Sequence, residues 1–254
     1  MAVAEFDLIR RYFAVHAPQH PFNQLGIGDD CALLNIPSGH QLAVTADTMV
    51  ENVHFFADAD PELLGHKLLA VNLSDLAAMG AEPFAVTLAL TLPKVDETWL
   101  QAFSRGFINL ARQHNVDLVG GDTTSGPLTL TVQAMGVVPQ GKALLRSGAQ
   151  VGDLIYVTGP LGNAGLGLKL HQGVKCADPR LILRSFNQPR PRVAEAWRYA
   201  ALPMHVSTFL MGWPPIWGIF WRAAVSARVC SGIVCRYLSK CKSTSNIAAI
   251  GVCH

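Results

Sequence analysis

Residues 61–92 read PELLGHKLLAVNLSDLAAMGAEPFAVTLALTL, and this stretch decides the fold. Its first twenty residues, 61–80, carry apolar side chains at helical spacing, begin with Pro at a first-turn position and end on Gly80. The run FAVTLALTL that follows, 84–92, is apolar almost throughout, short and rich in residues that favour strands, as expected of a buried strand. A helix leading straight into a buried strand sets the pattern for the flanking sequence. Upstream, residues 4–15 are expected to form an amphipathic helix with Phe6, Ile9 and Phe13 on one face. The segments 26–36 and 41–50, joined by Ser38-Gly39, are expected to pair as a hairpin. Downstream, 97–114 predicts a second helix, 116–121 a strand ending at Asp122, and 128–138 another strand. DLIYVTG (153–159) and the short helix expected over 164–172 begin something new. Strands paired around helices give an α+β class rather than a repeating βα wind. The expected organisation is an N-terminal domain over 1–145, the start of a second over 146–203, and an aberrant tail over 204–254.

Composition narrows the function. The chain has 254 residues, half of them hydrophobic, with a formal charge of +2, so no nucleic-acid partner is implied. That small figure hides an asymmetry, because every carboxylate side chain lies at or before Glu195. The start, MAVAEFDLIRRYF, lacks the apolar run of a signal peptide, and a cytoplasmic, thiol-reducing setting is expected. Cys230, Cys235, Cys241 and Cys253 sit late in the chain at spacings that fit no zinc pattern.

The chemistry points to acidic residues expected at strand or helix ends beside small ones: Gly28-Asp29-Asp30, Thr45-Ala46-Asp47, Ser74-Asp75 and Gly120-Gly121-Asp122-Thr123. Any one of these Asp residues can cap a helix or start a turn. Several converging carboxylates repel one another, however, and a hard cation with oxygen ligands such as Mg²⁺ relieves that repulsion. Residues 136–143, GVVPQGKA, approach a P-loop but end on Ala143, which lacks the metal-binding hydroxyl, and no helical run follows directly. The glycines at 159, 162 and 165 lack dinucleotide-fingerprint spacing and suit a tight, phosphate-facing turn instead.

Taken in order, GIGDDCALL (26–34), ADTMVENVHF (46–55), NLSDLAAMGA (72–81), GGDTTSGPL (120–128) and LLRSGAQVGDLIYVTG (144–159) resemble the thiamine-monophosphate kinase family. That family belongs to the aminoimidazole-ribonucleotide-synthetase-like superfamily. The resemblance implies a two-domain α+β fold whose N-terminal domains share a barrel in a homodimer. It also implies transfer of the γ-phosphoryl of ATP to thiamine monophosphate, giving thiamine diphosphate. On it, Asp30, Thr45, Asp47, Asp75 and Asp122 match the Mg²⁺ ligands, and Gly121, Asp122 and Arg146 the ATP contacts. His54 matches the contact to thiamine monophosphate, and no residue is assigned proton transfer. Ala46 departs from the hydroxyl residue often seen at its position. A selenophosphate-synthetase-like or hydrogenase-maturation relative would need its own N-terminal catalytic pattern, which this sequence does not carry.

The tail reads differently. The family places an S-D-G-L block shortly after the position of Pro203, whereas this chain reads FLMGWPPIWGIFW over 209–221. Trp and Met have single codons, and the first two bases of Gly, Pro, Ile and Phe codons are fixed. When each triplet starts on the third base of the preceding codon, S-D-G-L-A-A-D-L-G-H-I-L is permitted at every position. The rival reading is a non-catalytic remnant of the family, dimerising or membrane-associated. Residues 206–221 are uncharged, but a span needs about 20 residues, and this run holds a Pro-Pro pair before Arg222. We expect out-of-frame translation. Sequencing the gene across codons 203–222 should reveal one small insertion or deletion near codons 205–209 when aligned with an intact relative, and an alignment without one overturns this expectation.

Overall fold

The computed structural model describes residues 11–13, 20–145, 147, 156–158, 162–199 and 248–249. Its centre is helix α1, Pro61–Ala78. Asp60 caps the start, its carboxylate accepting from the Leu63 amide at 3.0 Å, with Pro61 in the first turn where its missing N–H costs nothing. Gly80 closes the other end in the left-handed region at φ +67°, and the Ala81 amide reaches back to the Leu76 carbonyl at 3.0 Å.

Helix α1 is apolar on most of its circumference because it is covered on both sides. Leu68, Leu69 and Leu73 are fully buried among the strands and helix α2, Glu97–Gln113. Helix α2 is capped by Asp96 and buries Leu100, Phe103, Phe107 and Leu110 while its other face meets solvent. The two helices approach closely at Gly65 and Gly106, where an added methyl would strike the backbone of Phe103 and Glu62 respectively. Arg105 pairs with Glu62 at the rim of this contact.

Strands β3 (His40–Val50), β4 (Glu82–Leu92), β5 (Asp117–Ser125) and β6 (Thr129–Pro139) form one sheet in the order β3-β6-β4-β5. β6 runs antiparallel to both its neighbours, while β4 and β5 are parallel and joined through α2, as a parallel pair requires a crossover. Val86, Leu88, Leu90, Leu130 and Val132 face the helices and form the main core. On the opposite face, Phe84, Ala85, Val119, Met135 and Val137 pack under Phe22, Ala32 and Leu34. These covering residues belong to a small hairpin of β1 (Asn23–Leu25) and β2 (Leu33–Leu34). Beyond it that face is open, with Leu42 and Val44 of β3 46% and 52% exposed.

Two expectations need correction. Residues 26–36 do not pair with 41–50: β2 folds back onto β1, and β3 pairs with β6 from His40↔Pro139 to Val50↔Thr129. The chain reverses earlier, at Gly28 (φ +133°), and the Ser38-Gly39 turn only links β2 to β3. Strand β5 also continues past Asp122 to Ser125, so Asp122 is not at a strand end, and Asp47 likewise lies inside β3. Residues 136–139 of the apparent P-loop belong to β6, with no helix directly after them, consistent with its rejection. The helix expected over 4–15 is described only at 11–13, where Arg11 and Tyr12 are helical.

After the sheet come helices α3 (Asn163–His171), α4 (Arg180–Asn187) and α5 (Val193–Tyr199); only the first was expected. A two-residue strand, β7 (Tyr156–Val157), pairs with β8 (Ala248–Ala249), and the rest of 204–254 lies outside the described residues. No helix among the described residues is long and apolar enough to cross a membrane.

Helices α4 and α5 dock on α1. His66 Nε2 lies 3.0 Å from the Pro189 carbonyl, and the Lys67 ammonium sits 3.8 Å above the Phe186 ring centroid. Lys67 is only 6% exposed, and burial lowers its pKa to about 8. In the unfolded chain the amine titrates near 10.5, so the folded state binds fewer protons between about pH 8 and 10.5. Stability from this group is therefore greatest above that window and is lost as pH falls through it. Lys67→Met should abolish this rise and gain on the order of 3 kcal/mol at neutral pH, read as the difference between variant and parent in urea unfolding at stepped pH. Parallel pH profiles would refute it.

Candidate functional site

Strand alternation places Thr45, Asp47 and Met49 on the face of β3 that meets α1, and each is partly or fully shielded. One turn before its end, α1 presents Asp75 to the same place. The Thr45 hydroxyl donates to Asp75 Oδ2 at 3.0 Å. Asn72, one turn earlier, accepts from the Asp47 amide through Oδ1 at 3.1 Å. Strand and helix are thus joined twice, and the two carboxylates are brought near each other at the joint.

The electrostatics follow from that placement. Burial, and then the charge of Asp75, raise the pKa of Asp47, while nearby His54 acts in the opposite direction. His54 lies in the turn leaving β3, where Asn52 adopts φ +60° and Phe55 is buried. Its Nδ1 accepts from the Val50 amide at 3.0 Å, which places the ring N–H on Nε2, at an exposed position.

The remaining sequence-derived candidates stand apart. Asp30 occupies an exposed bend after Gly28, its amide donating to Asp29 Oδ1 at 2.9 Å. Asp122 registers with Ala89, Thr131 and Thr48 across the sheet, three strands or about 14 Å from β3. That row faces away from the helices, whereas Asp47 registers with Val132 and Leu88 of the main core. At Gly121 a side chain would run into the backbone of Leu88, so packing requires a glycine there. Arg146 lies outside the described residues. Among those residues, no group of three or more His, Cys, Asp or Glu stands close enough to hold a metal by itself. Sequence reasoning missed Asn72; the available signal was one amide facing a strand from a helix otherwise apolar at that level.

Comparison with known proteins agrees with this architecture. Residues 28–138 match the family described as AIR synthase related protein, N-terminal domain. The thiamine-monophosphate kinase of Escherichia coli (strain K12) is 50% identical over 199 residues, covering 77% of this chain and 61% of that protein. The chain therefore spans about 61% of the length of that curated relative. The crystal structure of the thiamine-monophosphate kinase from Stenotrophomonas maltophilia K279a superposes with a TM-score of 0.73 at 46% identity, covering 82% of this chain and 69% of that one. A more distant structure, described as AaThiL complexed with AMPPCP and TMP, shares the fold with a TM-score of 0.60 at 24% identity, over 65% of this chain and 55% of that one.

The carboxylate pair is open to direct test. Asp75→Asn removes the charge that holds Asp47 up, so the Asp47 carboxyl should titrate at lower pH, followed by carbon-13 NMR of its Cγ. An unchanged titration would mean that the two side chains do not sense one another.

Proposed function

The chain belongs to the thiamine-monophosphate kinase family, and we propose that the site at the β3–α1 joint serves ATP-dependent phosphorylation of thiamine monophosphate to thiamine diphosphate. The observation that carries the proposal is the Asp47–Asp75 pair, with Thr45 donating to Asp75, in a chain 50% identical over 199 residues to a kinase of that name.

The donor set fits Mg²⁺. All the groups at the joint offer oxygen, and burial, then the charge of Asp75, raise the pKa of Asp47, a penalty on its charged form that a dication would relieve. Mg²⁺ is typically held by one or two carboxylates completed by substrate phosphates, so a pair rather than a full cage is the arrangement it needs. Asp47 and Asp75 would hold one such ion with Thr45, and Asp30 and Asp122, which stand apart from that pair, are proposed to hold further Mg²⁺ ions. When bound, the ion offsets repulsion between two phosphate groups. The chain's own groups position and screen the reactants. Exposed His54, with its Nε2–H outward, would donate to the phosphate of thiamine monophosphate, and Arg146 and Gly121 to ATP. The acceptor phosphate is already ionised near neutral pH, so no general base has to take a proton. Positioning and charge screening carry the reaction.

We assign the open face bearing Leu42 and Val44 to a second copy of the chain, giving a homodimer in the cytoplasm. The division at 145–146 and the aberrant tail from 204 belong to the same reading. A second reading, a dimerising remnant without turnover, is favoured by the lack of any carboxylate side chain after Glu195, where the family's S-D-G-L block would supply one.

A coupled assay for thiamine diphosphate formation separates the two. A frame-restored version should turn over with ATP and Mg²⁺, and Asp47→Asn should slow it about 100-fold or more. The chain as it stands should be slowed at least as much. Near-parental rates for Asp47→Asn at saturating Mg²⁺ would overturn the site assignment, and equal rates for the frame-restored version and the chain as it stands would overturn the second reading.

A further inference from the structure

Asn72 is fully buried in α1, at 0% exposure, yet its carboxamide is satisfied at both ends. Nδ2 donates to the Leu68 carbonyl one turn back at 3.0 Å, and Oδ1 accepts the Asp47 amide at 3.1 Å. The two bonds determine the orientation, because exchanging N and O would set donor against donor and acceptor against acceptor. Among the described residues β3 is an edge strand, paired with β6 alone, so a peptide N–H directed away from β6 needs a partner elsewhere. Asn72 provides one at the residue whose carboxylate matters most to the site. Its second bond ties that partner to the helix that carries Asp75.

We infer that Asn72 is a positioning residue for divalent-metal binding: it holds the Asp47 backbone against α1 and thereby sets the spacing of the Asp47 and Asp75 carboxylates. The inference rests on the metal-site reading above. An apolar side chain of similar size would fill the space but leave the Asp47 amide without its acceptor and free the strand to shift. Groups that orient ligands without touching the ion typically change metal affinity about 10–100-fold when removed.

The test is Mn²⁺ binding by the 254-residue chain, with the free ion followed by electron paramagnetic resonance and no turnover required. Asp47→Asn should weaken binding at least about tenfold, and Asn72→Leu by about 10–100-fold. Leu76→Ala, a buried site on the same helix, serves as a control for lost stability and should keep affinity within about threefold. Should Asn72→Leu fail to fold, Asn72→Ser leaves room, and its hydroxyl is too short to reach the strand. If the Asn72 variants bind normally while Asp47→Asn does not, the positioning role is wrong and the metal site stands. If Leu76→Ala loses as much as Asn72→Leu, or neither Asn72 variant folds, the role is general to the fold and the inference fails. If the parent chain binds no Mn²⁺, or Asp47→Asn binds as the parent does, the metal-site reading fails and takes the inference with it.

Discussion

Two carboxylates near one another, one of them partly buried, cost free energy to hold together, and the β3–α1 joint is built to keep them in place. Burial and mutual repulsion both disfavour a charged Asp47, while the Thr45 hydroxyl and the Asn72 amide hold strand and helix together around the pair. Those restraints work only because α1 cannot move: its leucines are enclosed between sheet and α2, and its ends are capped. The main core thus supports the site directly, since loosening the helix would let the carboxylates part.

The same packing explains why the joint can be polar within an apolar setting. Residues 68–73 of α1 are nearly all enclosed, yet Asn72 is tolerated because both ends of its amide are bonded. Lys67 shows the opposite case. Among the described residues no carboxylate pairs with it and an aromatic face stands in place of one, so its charge is carried at a cost that the docking of α4 must offset.

Family membership and geometry place complementary limits on function. Close identity to kinases over about three quarters of the chain identifies the family, while the described residues of one chain gather only part of the expected ligand set. Asp122 lies on the sheet face opposite Asp47, alongside the exposed apolar residues of β3 assigned to a second copy. The Mg²⁺ reading consequently rests on two carboxylates plus substrate oxygens, the coordination that this hard, reluctantly dehydrated ion commonly takes.

What could be read in advance follows from locality. Helix α1 announces itself through Pro61, Gly80 and its apolar spacing, β4 and β6 through short apolar runs, and the acidic blocks through composition, because each depends on residues close together in the chain. The failures were of pairing. Nothing in residues 26–50 by themselves says that β2 returns to β1 while β3 seeks β6 about ninety residues away; burial against Phe84 and Met135 decides it. Likewise, the sequence by itself marked Asp47, Asp75 and Asp122 as acidic residues set beside small ones, in blocks that resemble those of one family. Only the tertiary structure decided that the first two meet across a helix–strand joint secured by Asn72 while the third faces the other way, since strand order and the twofold alternation of side chains are properties of the assembled sheet.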